Sequence, residues 1–340
     1  MKILYAVQGT GNGHLSRARD IIPQLKRYGQ VDILVSGTQA DVRLEEEIKY
    51  QFSGISFIFG KKGGVDVLRT IYQLKFLRFL KNIFQLPVHQ YDLIINDFEP
   101  VTAWSCFVKS KFSVGLSHQA AVIHPNAPKP ERKDWLGTFI LHFYAPTSVK
   151  YGFHFQSFAD NIFTPVIRNE VRRLRPTNKG HYTVYLPALG DNKIIKILKQ
   201  MHVEWQVFSK HSKTPYEVDN VKIQPVNNIA FAESLSSCAG IICGAGFEGP
   251  AEALFLGKKV LAIPMRGQYE QHCNAAGLKE MGIPVINKLN KKAIPIIDKF
   301  VHDAQKVSVC YKDQTADIID HLVMSHAIKS QTDALAVSTS

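Results

Sequence analysis

The stretch Ile241 to Asn274, IICGAGFEGPAEALFLGKKVLAIPMRGQYEQHCN, limits most sharply what this chain can become. A short apolar strand, Gly240 to Cys243, ends in Gly244-Ala245-Gly246 and passes Phe247 into a helix expected over Pro250 to Leu256. Gly257 stops that helix, and a second apolar strand, Lys259 to Pro264, follows. Strand, glycine turn, helix and strand in this order predict a parallel sheet of the α/β class. Backbone amides at such a turn, aided by the helix dipole, can hold a phosphate. Glu252, one turn into the expected helix, can accept hydrogen bonds from two adjacent hydroxyls, as on a ribose. Gln268, Glu270, Gln271 and Asn274 in the following polar loop suit a polyhydroxylated ring. Together they describe a pocket for a nucleotide-sugar.

The amino terminus opens in the same way. Lys2 to Gln8, KILYAVQ, is a β-rich apolar run, followed by Gly9-Thr10-Gly11-Asn12-Gly13-His14 and a helix expected over Leu15 to Tyr28. The turn is not a dinucleotide fingerprint: position 14 is His where GxGxxG needs Gly. The second strand, Val31 to Gly37, also ends in Ser36-Gly37-Thr38 without an acid, which excludes a nicotinamide-nucleotide reading. A histidine at a helix N-terminus is kept neutral by the dipole and can accept a proton. It can equally be a capping or packing residue, and the residues alone leave both readings open.

Composition narrows the classes. With 340 residues, 45% hydrophobic and 21% charged, the chain is long enough for two ordinary globular domains. Met1-Lys2 runs at once into a strand, no apolar run approaches a membrane span, and five scattered cysteines (106, 238, 243, 273, 310) form no CxxC pair. A cytoplasmic location is expected. The formal net charge of +12 calls for an anionic partner. No helix-turn-helix, zinc or aromatic-sheet motif points to nucleic acid, so none is expected as a partner. In Val65 to Pro87, apolar residues cover most of a helix while Lys75, Arg78 and Lys81 gather on the remaining face. Such a helix is either buried or interfacial, docking on anionic lipid at the inner face of the plasma membrane. Before it come a strand, ISFIFG, and a basic loop, KKGG.

Tyr91 to Asn96 and Lys111 to Leu116 read as further buried strands. Ligands of open α/β sheets gather beyond the carboxyl ends of strands, which brings forward Asp97, Glu99 and His118. Asp97 can instead cap the helix starting near Val101. In the second half, HYTVYLPALG is a strand ending at Gly190, before a helix expected over Asp191 to Met201. The polar tail after Lys329 lacks periodicity and is expected to be disordered.

These motifs resemble the GT-B glycosyltransferases, most nearly the bacterial GlcNAc transferases that make lipid II (the MurG group). The resemblance rests on Gly244, Glu252, Gly257, Pro264 and Gln271-His272-Cys273-Asn274-Ala275, and on Gly9 to His14. The chain departs from the pattern at Lys258-Lys259, where a proline usually follows the glycine, and at Glu270, which stands for a second glutamine. The resemblance implies two facing Rossmann-like domains with a cleft between them. Residues 1–165 would bind the acceptor, 166–327 the donor, and 328–340 would be the tail, the last helix crossing back to the first domain. It implies His14 as general base or acceptor-positioning group with Asp97, and Asn12, Gly13, Glu99 and His118 around the acceptor. Gly11, Arg168, Gly190, Phe231, the turn Gly244-Ala245-Gly246-Phe247, Glu252, Gln268, Glu270, Gln271 and Asn274 would meet the donor, with Arg168 reaching its diphosphate. A hexose or N-acetylhexosamine would move from a nucleotide-sugar, a UDP-sugar before others, to a lipid-linked or other hydroxyl acceptor, with inversion. No cofactor is implied, and no Asp-x-Asp metal motif is present. A UDP-sugar 2-epimerase and a non-catalytic sugar-nucleotide-binding protein share the architecture and remain alternatives.

Overall fold

The computed structural model describes residues 1–37, 44–53, 76–303 and 305–338. The expected ISFIFG strand, the KKGG loop and the helix up to Lys75 lie outside these residues. Chain contacts divide the protein into two units. One comprises Met1–Ala127, Asp134–Arg168 and Lys312–Ser340, the other Pro128–Lys133 and Asn169–Tyr311.

The first unit carries, in chain order, β1 (Lys2–Gln8), α1 (Asn12–Lys26), β2 (Gln30–Ser36), β3 (Ile48–Phe52), α2 (Phe76–Gln85), β4 (Leu93–Asp97), α3 (Pro100–Val108), β5 (Val114–Ser117), α4 (His118–Val122), α5 (Trp135–Phe143), β6 (Val149–Phe153) and β7 (Ile162–Phe163). Its seven strands among the described residues are all parallel, in the order β3-β2-β1-β4-β5-β6-β7. The central strands explain why: Ile3 to Val7 of β1 and Ile94 to Ile95 of β4 are fully buried, as strands covered on both faces must be. The order reverses between β1 and β4. That switch point is where a doubly wound sheet opens a crevice for ligands.

The second unit continues with α6 (Asn169–Arg172), β8 (Tyr182–Tyr185), α7 (Asp191–Leu198), β9 (Trp205–Ser209), β10 (Tyr216–Val218), β11 (Val221–Pro225), α8 (Asn228–Ser237), β12 (Gly240–Gly244), α9 (Glu248–Phe255), β13 (Lys259–Ile263), α10 (Tyr269–Glu280) and α11 (Ile294–His302). The strand order is β10-β11-β9-β8-β12-β13, parallel except for the β10–β11 hairpin. Its core gathers Trp205, Val207 and Ile242 from the sheet with Ile194, Leu198, Ile297 and Phe300 from the helices. Here the switch point lies between β8 and β12, so the turns beginning at Leu186 and Gly244 share one end of the sheet.

The last helix, α12 (Thr315–Ser338), belongs to the first unit, where it packs against α1 and β4. Its backbone stays helical into the stretch for which composition suggested disorder. Among the described strands, four escape a sequence reading: β3, β6 and β10 are short and largely exposed or half-exposed, and β7 has only two residues, so none shows the apolar run that marks the buried ones.

Lys258, a departure from the family pattern, is explained by the packing. The side chain is 3% exposed, and its Nζ donates to the carbonyls of Thr177 (2.6 Å), Ser236 (2.7 Å) and Cys238 (2.9 Å). It thereby ties the end of α8 to the irregular segment that leads into β8, a task for which proline has no donor. Burial lowers its pKa, yet three acceptors keep the ammonium satisfied. Replacing Lys258 by Met takes the ammonium from three carbonyls, of which that of Ser236 keeps the Thr177 amide, and should cost roughly 1–3 kcal/mol. A thermal melt checks this, and an unchanged midpoint would show that water replaces the ammonium at no cost.

Candidate active site and donor-binding turn

α1 begins at Asn12, three residues earlier than the expected Leu15, because Gly11 adopts φ +92° and releases the chain directly into the helix. Only glycine takes that left-handed conformation without strain. His14 therefore lies in the first helical turn, and Arg17 stands one turn further along the same face. Both point to the end of β4. His14 Nδ1 lies 2.8 Å from Asp97 Oδ1. Arg17 grips the same carboxylate, Nη2 to Oδ1 at 2.9 Å and to Oδ2 at 2.8 Å, and Nε to Oδ2 at 3.2 Å. Arg17 is 2% exposed and Asp97 fully buried, with the guanidinium stacked over the Phe153 ring. Burial by itself would raise the Asp97 pKa. The Arg17 charge, followed by the charge and hydrogen bond of His14, overcomes burial, and the net shift is downward. Asp97 is an anion.

The neighbouring carboxylate does something else. Glu99 caps α3, accepting from the amides of Val101 (2.7 Å) and Thr102 (2.6 Å), and is fully buried. Asn96 fixes the turn by bonding both the amide and the carbonyl of Glu99. Burial raises the Glu99 pKa, and hydrogen bonds from Ser36, Thr102 and Val101 draw it partly back. Of the two acids, then, Glu99 caps the helix and Asp97 meets the histidine. Between them Phe98 is held at φ +56°, a strained conformation for an aromatic residue, which sets its ring parallel to that of His14.

His118 is 1% exposed, opens α4, bonds the Phe153 carbonyl through Nδ1 (2.7 Å) and packs against His154. It is the next residue, Gln119, that reaches the site: its Nε2 lies 3.3 Å from His14 Nε2. Asn12 and Gly13 form the first residues of α1 beside His14. Thus His14, Asp97, Asn12 and Gly13 are gathered at the switch point, whereas Glu99 and His118 are occupied with the scaffold. Arg17, Gln119 and Phe98 were not picked out from the sequence. The His14–Arg17 spacing of three residues was the available signal, lost by starting the helix too late.

In the second unit α9 starts at Glu248, two residues before the expected Pro250. Pro250 fits inside the first turn, where backbone amides have no intrahelical partner to lose. Glu252 is consequently in the second turn and 3% exposed. Glu248, which the sequence reading passed over, is the acid of the first turn. A methyl group added at Gly246 would meet no atom within 4 Å, and one at Gly244 would approach only Gln271 Oε1 and the Ile263 carbonyl. Phe247 and Ala245 are buried. Asn274 is fully buried and donates from Nδ2 to the Ala245 carbonyl (3.0 Å), so it holds the shape of the glycine turn. Gln271 accepts from the Met265 amide (2.9 Å) and donates to Gln268 Oε1 (2.6 Å), while Glu270 sits half-buried in the first turn of α10. Gly190 caps α7 at the other turn of the switch point. Phe231 packs edgewise on Tyr185 and Phe208 near the start of α8. Gly11 and Arg168 belong to the first unit.

Comparison with known proteins now decides the family. The model of glycosyl transferase family 1 matches residues 1–304. The chain belongs to that family. Among solved structures, this glycosyltransferase is similar to MurG of Acinetobacter baumannii, at 14% identity over 95% of this chain and 99% of that one, with a TM-score of 0.53. SnogD of Streptomyces nogalater, a glycosyltransferase, is 13% identical over 95% and 99%, with a TM-score of 0.54. UGT89C1 of Arabidopsis thaliana, solved with UDP, is 12% identical over 96% and 94%, with a TM-score of 0.58. At these identities the likeness is one of fold, and that fold is GT-B. No curated protein matches the sequence.

Proposed function

We propose that this glycosyltransferase moves a hexose or N-acetylhexosamine from a UDP-sugar to a hydroxyl of a lipid-linked acceptor, with inversion and without a metal ion. The observation that carries the reading is the His14–Asp97 pair at the switch point of the first sheet. Asp97 receives Nδ1–H, leaving Nε2 as the acceptor atom of the ring. Nε2 takes the proton of the acceptor hydroxyl as its oxygen attacks the anomeric carbon from the face opposite the diphosphate. The new carbon–oxygen bond forms while the bond to the diphosphate oxygen breaks, and UDP departs with that electron pair. Amides at the turns after β8 and β12, with Arg168, would stabilise the charge that develops on it. Glu252 would hold the ribose hydroxyls, and Phe231 would lie by the base.

A lipid-linked acceptor is supported by the surface of the first unit. Phe76, Leu77 and Phe84 of α2 are exposed, with Arg78 and Lys81 beside them. Trp135, Phe139 and Phe143 of α5 are exposed as well. Bulky apolar groups interleaved with cations suit an anionic lipid surface, and peripheral attachment to the inner face of the plasma membrane follows from that reading. Among the described residues no helix is long and apolar enough to cross a membrane. The experiment is calorimetric titration with UDP, GDP, TDP and CMP without added metal, followed by a screen of UDP-sugars against membrane lipid extracts. Preferential UDP binding with acceptor-dependent UDP release is expected. Release of an epimer or UDP without acceptor would turn the reading toward the epimerase, and absence of nucleotide binding would remove the donor pocket.

A further inference from the structure

We infer that Arg17 is a positioning residue of the active site, holding Asp97 as a fixed anionic acceptor and through it holding His14 in the tautomer with hydrogen on Nδ1. This rests on the proposed role of His14 as base and adds what sets that base. The fork geometry is the first ground. Three of the guanidinium's N–H···O contacts go to the two oxygens of one carboxylate, so the carboxylate has one orientation. Lysine, a point donor, would not fix it. The second ground is the surroundings of the ring. Asp97 Oδ1 is the nearest partner of Nδ1, at 2.8 Å, and can only accept. At Nε2 the facing atom is the Gln119 amide nitrogen, which can only donate. Both contacts select the same tautomer; Arg17 Nη2, at 3.2 Å from Nδ1, could donate only to the other one and is the longer contact.

The third ground is charge. Arg17 Nη2 lies 3.2 Å from His14 Nδ1, close enough to oppose a positive charge on the ring. Arg17 on its own helix and Asp97 on β4 meet the ring, and Tyr5 on β1 lies within electrostatic reach of both. Burial, with Asp97 adding to it, keeps the Tyr5 phenol protonated. α4 contributes the neutral amide of Gln119. Asp97 favours a positive charge on the imidazole and Arg17 opposes it, so the two offset each other at Nδ1. If Arg17 is removed, the pair takes up a proton at higher pH, whether Asp97 or His14 carries it.

The test uses the full chain labelled with ¹⁵N-histidine, read by long-range ¹H–¹⁵N correlation without substrate, with His14→Ala to assign the signal. The wild-type protein is expected to show His14 as the Nδ1–H tautomer; the Nε2–H form would overturn the inference. In Arg17→Gln the protonation midpoint is expected to move up by about 1–3 pH units, and in Arg17→Lys to stay near wild type with the tautomer less well defined. Turnover of Arg17→Gln should fall near pH 6–7 and recover at higher pH, with donor KM unchanged. A folded Arg17→Gln protein with an unmoved midpoint would overturn the inference, and if that variant does not fold, the wild-type tautomer decides. Full turnover by His14→Ala would end the base reading and leave the tautomer result standing. The wrong tautomer would end the role of Arg17 and leave the base still testable.

Discussion

Replacing His14 by alanine is expected to lower turnover by about 10²–10⁴ while leaving UDP affinity near its wild-type value. The split follows from the placement of the ring. It stands in the first turn of α1 within the first unit, hydrogen-bonded to Asp97, whereas the residues assigned to the nucleotide, Arg168 and Gly11 apart, belong to the second unit. Removing the imidazole takes away the atom that receives the acceptor proton and leaves Asp97 with Arg17 as its partner. Because that ion pair survives, the variant should fold, and its thermal midpoint is the control. Steady-state release of UDP from a UDP-sugar, with lipid extract as acceptor, reads the rate, and calorimetry reads the affinity. A variant that turns over at full speed would reduce His14 to a packing residue.

The second large effect is expected at Glu252. Alanine there should weaken UDP binding by roughly 1.5–3 kcal/mol, the range for hydrogen bonds to a charged group, or about 10–150-fold in Kd. Glu252 lies in the second turn of α9, behind the glycine turn that Asn274 holds in shape. At 3% exposure its carboxylate cannot simply exchange ribose hydroxyls for bulk water when the partner is lost. Glu252→Gln, which keeps the shape but not the charge, should lose less than alanine does. Titration of both variants with UDP and with uridine separates ribose recognition from phosphate recognition. Equal affinity in wild type and Glu252→Ala would remove the ribose assignment, and loss confined to a lowered melting temperature would make the residue structural.

Much of the fold was legible because buried parallel strands write themselves plainly. Runs such as KILYAVQ and YDLIIN, each closed by a turn and followed by a helix, announce an α/β sheet from the order of apolar residues alone. The glycine turns announced where each sheet would open, and GT-B followed from the motifs they carry. The family match over residues 1–304 agrees with that reading. Less was legible at the edges. β3, β6 and β10 are short and largely exposed or half-exposed, so their pattern is diluted by polar residues.

At the site itself, the sequence could name His14 and Asp97 but not divide the work among their neighbours. Asp97 and Glu99 are two residues apart in a strand-to-helix turn, and either can cap a helix in principle. The left-handed turn at Phe98 decides the matter by aiming Glu99 at the amides of α3 and Asp97 at α1. His118 and Gln119 were likewise indistinguishable as strand-end residues until the backbone turned the first toward Phe153 and the second toward His14. Arg17 stands one helical turn from His14, but nothing local names its carboxylate partner 80 positions away. Local order alone determined the strands, turns and candidate acids and bases, because backbone conformation responds to near neighbours. Which side chain meets which was decided by tertiary structure, because a hydrogen bond depends on direction in space, and direction is set where distant segments of the chain are packed together.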